Sequence, residues 1–202
     1  MLVQGEYFYL MPIVLAVFFF IAPLMGISLY ELSRREERKE AISLCFTSDA
    51  WQRNSFNLTM MGLTLMVISL FWMMIAVLIF ALFYNHTLQS DGNFFWTLFF
   101  SGDNILFIIV GSIAGLFIAL FTFSITAISV PMLMDKDISF TTAIQVSQQA
   151  VWQNKKVMVV WAYLIAMLIA VSFLSLYIGL IIAIPIIGHA SWHAYKSLVS
   201  YE

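Results

Sequence analysis

His189 and His193 are the two residues whose type and spacing come nearest to chemistry, in the stretch Gly188-His-Ala-Ser-Trp-His-Ala-Tyr195. Side chains four apart lie on one helix face, and two imidazoles at that spacing could hold a metal ion. Two ligands are too few for a closed site, and no carboxylate is nearby in sequence. Further ligands would have to come from another segment or another protein. The expectation is therefore a polar cluster of His189, Trp192, His193 and Tyr195 at a membrane interface, bonded to head groups or neighbouring helices. No metal, cofactor or catalytic residue is assigned.

The rest of the chain offers little other chemistry. There is no H-E-x-x-H, no G-x-S-x-G and no phosphate-binding loop. Three histidines in all, with His86 elsewhere, are too few for the haems and copper of a core oxidase subunit. An intramembrane enzyme or ion carrier normally places ionisable groups within its spans, because their burial is costly and retained only for function. The central apolar runs here have none, so the chain is not expected to be an enzyme. A channel lined by Ser, Thr and backbone stays open. The single cysteine, Cys45, excludes an internal disulfide and a Cys-rich metal site. A net charge of −2 gives no basic surface for nucleic acid.

The elements that must position these residues are apolar helices. Of 202 residues, 62% are hydrophobic and 10% charged, against about 25% charged in a soluble domain. No Asp, Glu, Lys or Arg occurs in Tyr7–Tyr30, Leu58–Tyr84, Ile105–Met134 or Val157–Tyr195. A crossing takes about 20 residues, so the first three runs each fit one span. The fourth, as one helix, would reach about 58 Å, far beyond an apolar core of about 30 Å. It reads as a hairpin turning at Ser175–Gly179, where Gly179 can take an unusual backbone angle. The fold class is all-α: a single polytopic transmembrane helical bundle over 1–202 with about five spans, near 7–30, 58–84, 105–131, 157–176 and 179–198. Pro185 should kink the last.

Basic residues set the topology. Arg34, Arg35, Arg38, Lys39 and Arg53 separate the first two runs, and Lys136, Lys155 and Lys156 precede the fourth. Lys196 is near the C-terminus, while 85–104 has no Lys or Arg. Basic loops stay inside, so the N-terminus is expected outside and the C-terminus in the cytoplasm. Met1–Gly5 carries no basic residue and does not read as a secretory signal.

Inside segments look helical as well. In Ser139–Gln153 the apolar Phe140, Ala143, Ile144, Ala150 and Val151 recur at helical spacing, with Asp137 or Ser139 as cap. Glu31 can pair with Arg34 or Arg35 one turn on, worth only a few tenths of a kcal/mol. Sliding the chain by 101 positions aligns Ile27-Ser28 with Ile128-Ser129 and Trp51-Gln52 with Trp152-Gln153. This is a weak internal parallel repeat, an arrangement also found in some transporters. Gly111 and Gly115 form a small-residue helix-contact face. Phe94, Phe95, Trp96 and Phe99 suit the outer interface. Together with Arg34 and Arg35, these are the candidate partner or lipid contacts. Asn57-Leu-Thr59 and Asn85-His-Thr87 match the glycosylation acceptor pattern, and neither is assigned.

The closing stretch Gly188–Tyr195, preceded by Ile184-Pro185-Ile-Ile, resembles the end of a family of bacterial predicted inner-membrane proteins, domain of unknown function 2189. Leu29-Tyr30-Glu31-Leu32-Ser33-Arg34-Arg35 resembles its first cytoplasmic stretch, and Ile128-Ser-Val-Pro131-Met-Leu-Met-Asp135-Lys-Asp137 its S-x-P-M-L-x-D-x-D stretch. The resemblance runs from about Ala22 onward. Relatives usually carry a further N-terminal segment and span, and an Arg where Lys196 stands. The resemblance implies a bacterial inner-membrane location, a helical bundle and no activity; some relatives are labelled oxidase subunits. The function expected is a non-catalytic accessory subunit or assembly-associated protein of a larger membrane complex, such as a respiratory complex. Its partners would be membrane lipids and other integral subunits. The alternative is a small transporter or lipid-handling protein.

Overall fold

The structure is a computed structural model that describes residues 26, 28–40, 54–83, 102, 104–175 and 178–199. Helix α1 covers 28–37. It is followed by α2 (Ser55–Phe83), α3 (Ile105–Thr126), α4 (Ser129–Asp135), α5 (Phe140–Gln153), α6 (Lys155–Leu174) and α7 (Leu180–Leu198). Among the described residues there is no strand. The all-helical class is therefore as expected.

Among the described residues, three helices are long and apolar enough to cross a membrane: Ser55–Phe83, Ile105–Asp135 (α3 and α4 together) and Lys155–Leu174. Only 6%, 0% and 11% of their most apolar stretches are buried inside the protein. Side chains such as Val67, Met74, Leu82, Phe117 and Val159 point outward. In water this surface would be untenable; a bilayer covers it. These helices correspond to the expected spans 58–84, 105–131 and 157–176. Most of 7–30 lies outside the described residues, as do the aligned Ile27 and Trp51-Gln52 of the expected repeat. The segment expected as the span 179–198 does form a helix, α7, but it is not among the three. Its second half turns polar, and Gly188, Ser191, Trp192 and Tyr195 are buried within the protein.

The chain divides into two compact units. One is Thr64–Phe123, the later part of α2 and most of α3. Here Gly115 lets the helices approach: a Cβ on it would lie 3.3 Å from the Trp72 ring. Phe80 and Phe107 meet edge to face at 6.0 Å. Gly111 meets nothing within 4 Å and instead lines an open apolar groove of about 260 Å³ with Trp72, Ala76, Ile79, Phe107, Ile108 and Ser112. Of the expected contact face, only the Gly115 end is thus filled by a neighbour.

The other unit comprises the residues up to Leu63 and those from Ser124 onward. The break between α3 and α4 follows from Pro131, which has no N–H to give the carbonyl of Ala127 and so interrupts the helical ladder. Ser147 on α5 repairs the break. Its buried hydroxyl accepts from Ile128 N at 3.2 Å and donates to Ser124 O at 2.9 Å. Helix α5 is capped by Ser139, which accepts from Thr142 N at 3.2 Å, and it buries Ala143, Ser147 and Ala150. Gln145 and Gln149 are exposed. The expected amphipathic helix is present, with Ser139 rather than Asp137 as its cap.

The expected turn near Ser175–Gly179 is also present: α6 ends at Leu174, α7 starts at Leu180, and the two pack together. The reason for glycine differs from the one expected. Gly179 has an ordinary φ of −60°. Space is what requires it, since a Cβ would lie 2.8 Å from Ser172 Cα and 2.6 Å from Ser175 Oγ.

Ser147→Ala leaves the Ile128 amide and the Ser124 carbonyl without their bridge. The expected cost is about 1–3 kcal/mol, read as a lower unfolding midpoint in detergent micelles. An unchanged midpoint would show that the bridge does not hold the break.

Candidate functional site

The unit that contains α1 and α7 carries a dense set of polar contacts. It starts at Glu31 on α1, which is 0% exposed. Arg34 grips it with two bonds, Nε to Oε2 and Nη2 to Oε1, both 2.8 Å. Arg35 Nε adds a third to Oε1 at 2.7 Å. The i,i+3 and i,i+4 spacing places both guanidinium groups over the same carboxylate. The Glu31 hydrogen bonds hold the buried Arg34 guanidinium above its ordinary pKa, outweighing the opposing effect of burial. Helix α1 then ends with Lys39 at φ 56°, while Glu40 N bonds to Arg35 O at 2.9 Å and Lys39 N to Glu36 O at 3.1 Å. These are the two bonds of a Schellman ending, in which glycine usually holds the left-handed position. The turn carries Glu40 back to Arg34 Nη2 at 3.2 Å.

Helices α1 and α7 run side by side in the same direction. Leu29 abuts Gly188, where an added Cβ would come within 2.9 Å of Leu29 Cβ. Further along, Ser33 Oγ lies 2.7 Å from His189 Nδ1. Further still, Trp192 Nε1 donates to Glu37 Oε2 at 3.0 Å. Trp192 and Tyr195 are both fully buried, and their rings meet at 5.6 Å.

Asp135, the last residue of α4, joins these two helices to the third. Its Oδ2 accepts from Tyr195 Oη and Lys196 Nζ, each at 2.9 Å, and its Oδ1 accepts from Arg38 Nη2 at 3.3 Å. Lys196 also lies 3.8 Å from Glu37 and over the Trp192 ring at 5.3 Å. A second clamp follows at the start of α2. Asn54 Nδ2 is 3.3 Å from the carbonyls of Leu133, Lys136 and Ile138. Asn57 donates to Asn54 Oδ1 at 2.6 Å and accepts from Phe140 N at 2.9 Å. The Asn57 amide of the unassigned acceptor pattern is therefore engaged within the protein.

The structure unites Arg34, Arg35, His189, Trp192 and Tyr195 in one cluster. His193 is exposed. Gly111 and Gly115 belong to the other unit. Phe94, Phe95, Trp96 and Phe99 lie outside the described residues. Sequence reasoning missed Ser33, Glu37, Arg38, Asn54, Asp135 and Lys196 as members of the cluster. Their signal was the place of Asp135 and Lys196 just past the charge-free runs. The expected pairing of Glu31 with Arg34 and Arg35 is present, and Glu31 and Arg34 are buried. Among the described residues, no buried polar side-chain atom lacks a hydrogen bond. Also among them, no three His, Cys, Asp or Glu groups are placed to hold a metal.

The chain matches the family described as "Predicted integral membrane protein (DUF2189)" over residues 10–135. No curated protein and no solved structure matches it. The matched range takes in Leu29–Arg35 and runs to Asp135, but the stretch Gly188–Tyr195, on which the resemblance was also carried, lies beyond it.

Glu31→Gln strips the counter-charge from buried Arg34 and should cost about 3–5 kcal/mol. Asp135→Asn should cost less, about 1–2 kcal/mol, because Arg38 is half exposed and screened by solvent. Denaturant midpoints of both variants in micelles test this order. Equal losses would refute the distinction between the two ion pairs.

Proposed function

The chain belongs to the DUF2189 family of predicted integral membrane proteins, and from that premise we propose that it is a non-catalytic accessory protein that packs against a larger membrane assembly, with a respiratory complex as host. The observation that carries the reading is the engagement of the charged groups with one another. Glu31 is taken by Arg34 and Arg35, and Asp135 by Arg38, Tyr195 and Lys196. Catalysis in a membrane uses an ionisable group poised for exchange, whereas these groups hold helices together. The helices that remain present long apolar faces, with room for lipid and for other subunits.

The same cluster supports the orientation read from charge. Arg38 and Lys196 meet on one carboxylate, so the end of α7 lies with the basic segment after α1. With basic segments inside, this reading places the C-terminus in the cytoplasm of a bacterium, the N-terminus outside, and the protein in the inner membrane. One observation favours a second reading, a lipid-handling protein or small transporter. The open groove lined by Trp72, Phe107 and Gly111 is apolar, as an acyl chain would require.

Gentle detergent extraction through a tag on this chain, with identification of the co-purifying proteins and a haem absorbance scan, separates the readings. A haem-bearing partner at fixed stoichiometry is expected. A colourless, solitary chain would overturn the accessory role and leave the groove as the feature to pursue.

A further inference from the structure

We propose that His189 and His193 form a two-imidazole site for a divalent transition metal, with Ser33 as the residue that orients the first ring. Zinc, copper and nickel are the ions that suit imidazole ligands. The proposal stands apart from the accessory role and does not depend on it.

The argument starts from one proton. Ser33 Oγ lies 3.0 Å from Leu29 O and 2.7 Å from His189 Nδ1. A carbonyl can only accept, and a serine hydroxyl has a single hydrogen. With Ser33 donating to Leu29 O, its oxygen accepts from His189 Nδ1–H, and this is the tautomer the proposal assigns. That assignment, made from the hydrogen-bond network, leaves the lone pair of the neutral ring on Nε2. Imidazoles that bind metals carry such a bond on the nitrogen that does not ligate, and it fixes both tautomer and ring orientation. Ser33 is buried, so water does not compete for this bond.

His193 supplies the second imidazole. It stands one turn further along α7, on the same face as His189, and is exposed. Among the described residues it has no hydrogen-bond or ion-pair partner. The nearby cation in sequence, Lys196, is held by Asp135 at 2.9 Å, which reduces its repulsion of a bound ion. The position late in α7 also favours positive charge, since a helix C-terminus carries a partial negative one. With two protein ligands the remaining positions are open to water or to a donor from another molecule.

The test is a zinc titration of the full chain in detergent, by calorimetry, for the unaltered protein and for His189→Ala, His193→Ala, Ser33→Ala and Ser33→Thr. One zinc per chain is expected, lost in either histidine variant. Ser33→Ala should weaken binding about 10-fold or more, the usual effect of removing such an orienting partner. Ser33→Thr, which keeps the hydroxyl, should restore it. Nitrogen-15 imidazole shifts of the metal-free protein should show His189 with its proton on Nδ1. The proposal is overturned by absence of zinc binding, by binding that survives His193→Ala, or by an affinity indifferent to Ser33→Ala. It is equally overturned by a proton on Nε2. If Ser33→Ala fails to fold, the Nδ1 assignment and the two histidine variants still decide the matter.

Discussion

Burial of the Glu31 carboxylate is the constraint on which the polar architecture depends. A carboxylate removed from water costs several kcal/mol unless opposite charge and hydrogen bonds replace the lost solvent. Here three charge-assisted bonds do so, two of them from Arg34 in the paired geometry available only to a guanidinium. Burying Arg34 as well raises the same demand again, and the return of Glu40 through the left-handed Lys39 answers part of it. A strained backbone position, a buried arginine and a nearby acidic residue thus follow from one buried charge. The arrangement holds α1 in a form that can lie against α7.

Contacts between α1 and α7 combine two devices that suit a lipid environment. Apolar burial gives little drive for association where the solvent is itself apolar, so close packing and hydrogen bonds must specify the partner. Gly188 provides the first by admitting Leu29. Ser33 with His189, and Glu37 with Trp192, provide the second. Asp135 adds α4 to the pair, and Asn54 fastens the start of α2 to the segment between α4 and α5. Both side chains recognise features that a helix slipped by one turn would not present.

The apolar elements were legible in the sequence because they answer to composition. Runs free of charge gave α2, α3 and α6 to within a few residues, and the excess length of the last run gave the turn before α7. The cap of α5 was legible to within two candidates, Asp137 and Ser139, since a cap is a local event. What escaped was long-range. Asp135 meets Tyr195 and Lys196 across some sixty positions, and nothing in local spacing ties a carboxylate at one helix end to a tyrosine at another. Burial was equally illegible for Glu31, since an i,i+4 ion pair has the same sequence whether water or another helix covers it.

That contrast also explains why the apolar and polar parts carry different information. A lipid-facing stripe of α2 or α3 tolerates exchange among Leu, Ile, Val, Phe and Met, because each satisfies the same solvent. Trp192, Tyr195 and Asp135 do not share that freedom. Trp192 must fill a fully buried space and still deliver Nε1 to Glu37; Phe would fill most of the space and lose the bond. Tyr195 must deliver a hydroxyl to a carboxylate that also serves two cations. The identity of this fold is therefore concentrated in a few side chains of the polar cluster, where polar groups have definite partners and a wrong neighbour leaves a charge buried alone.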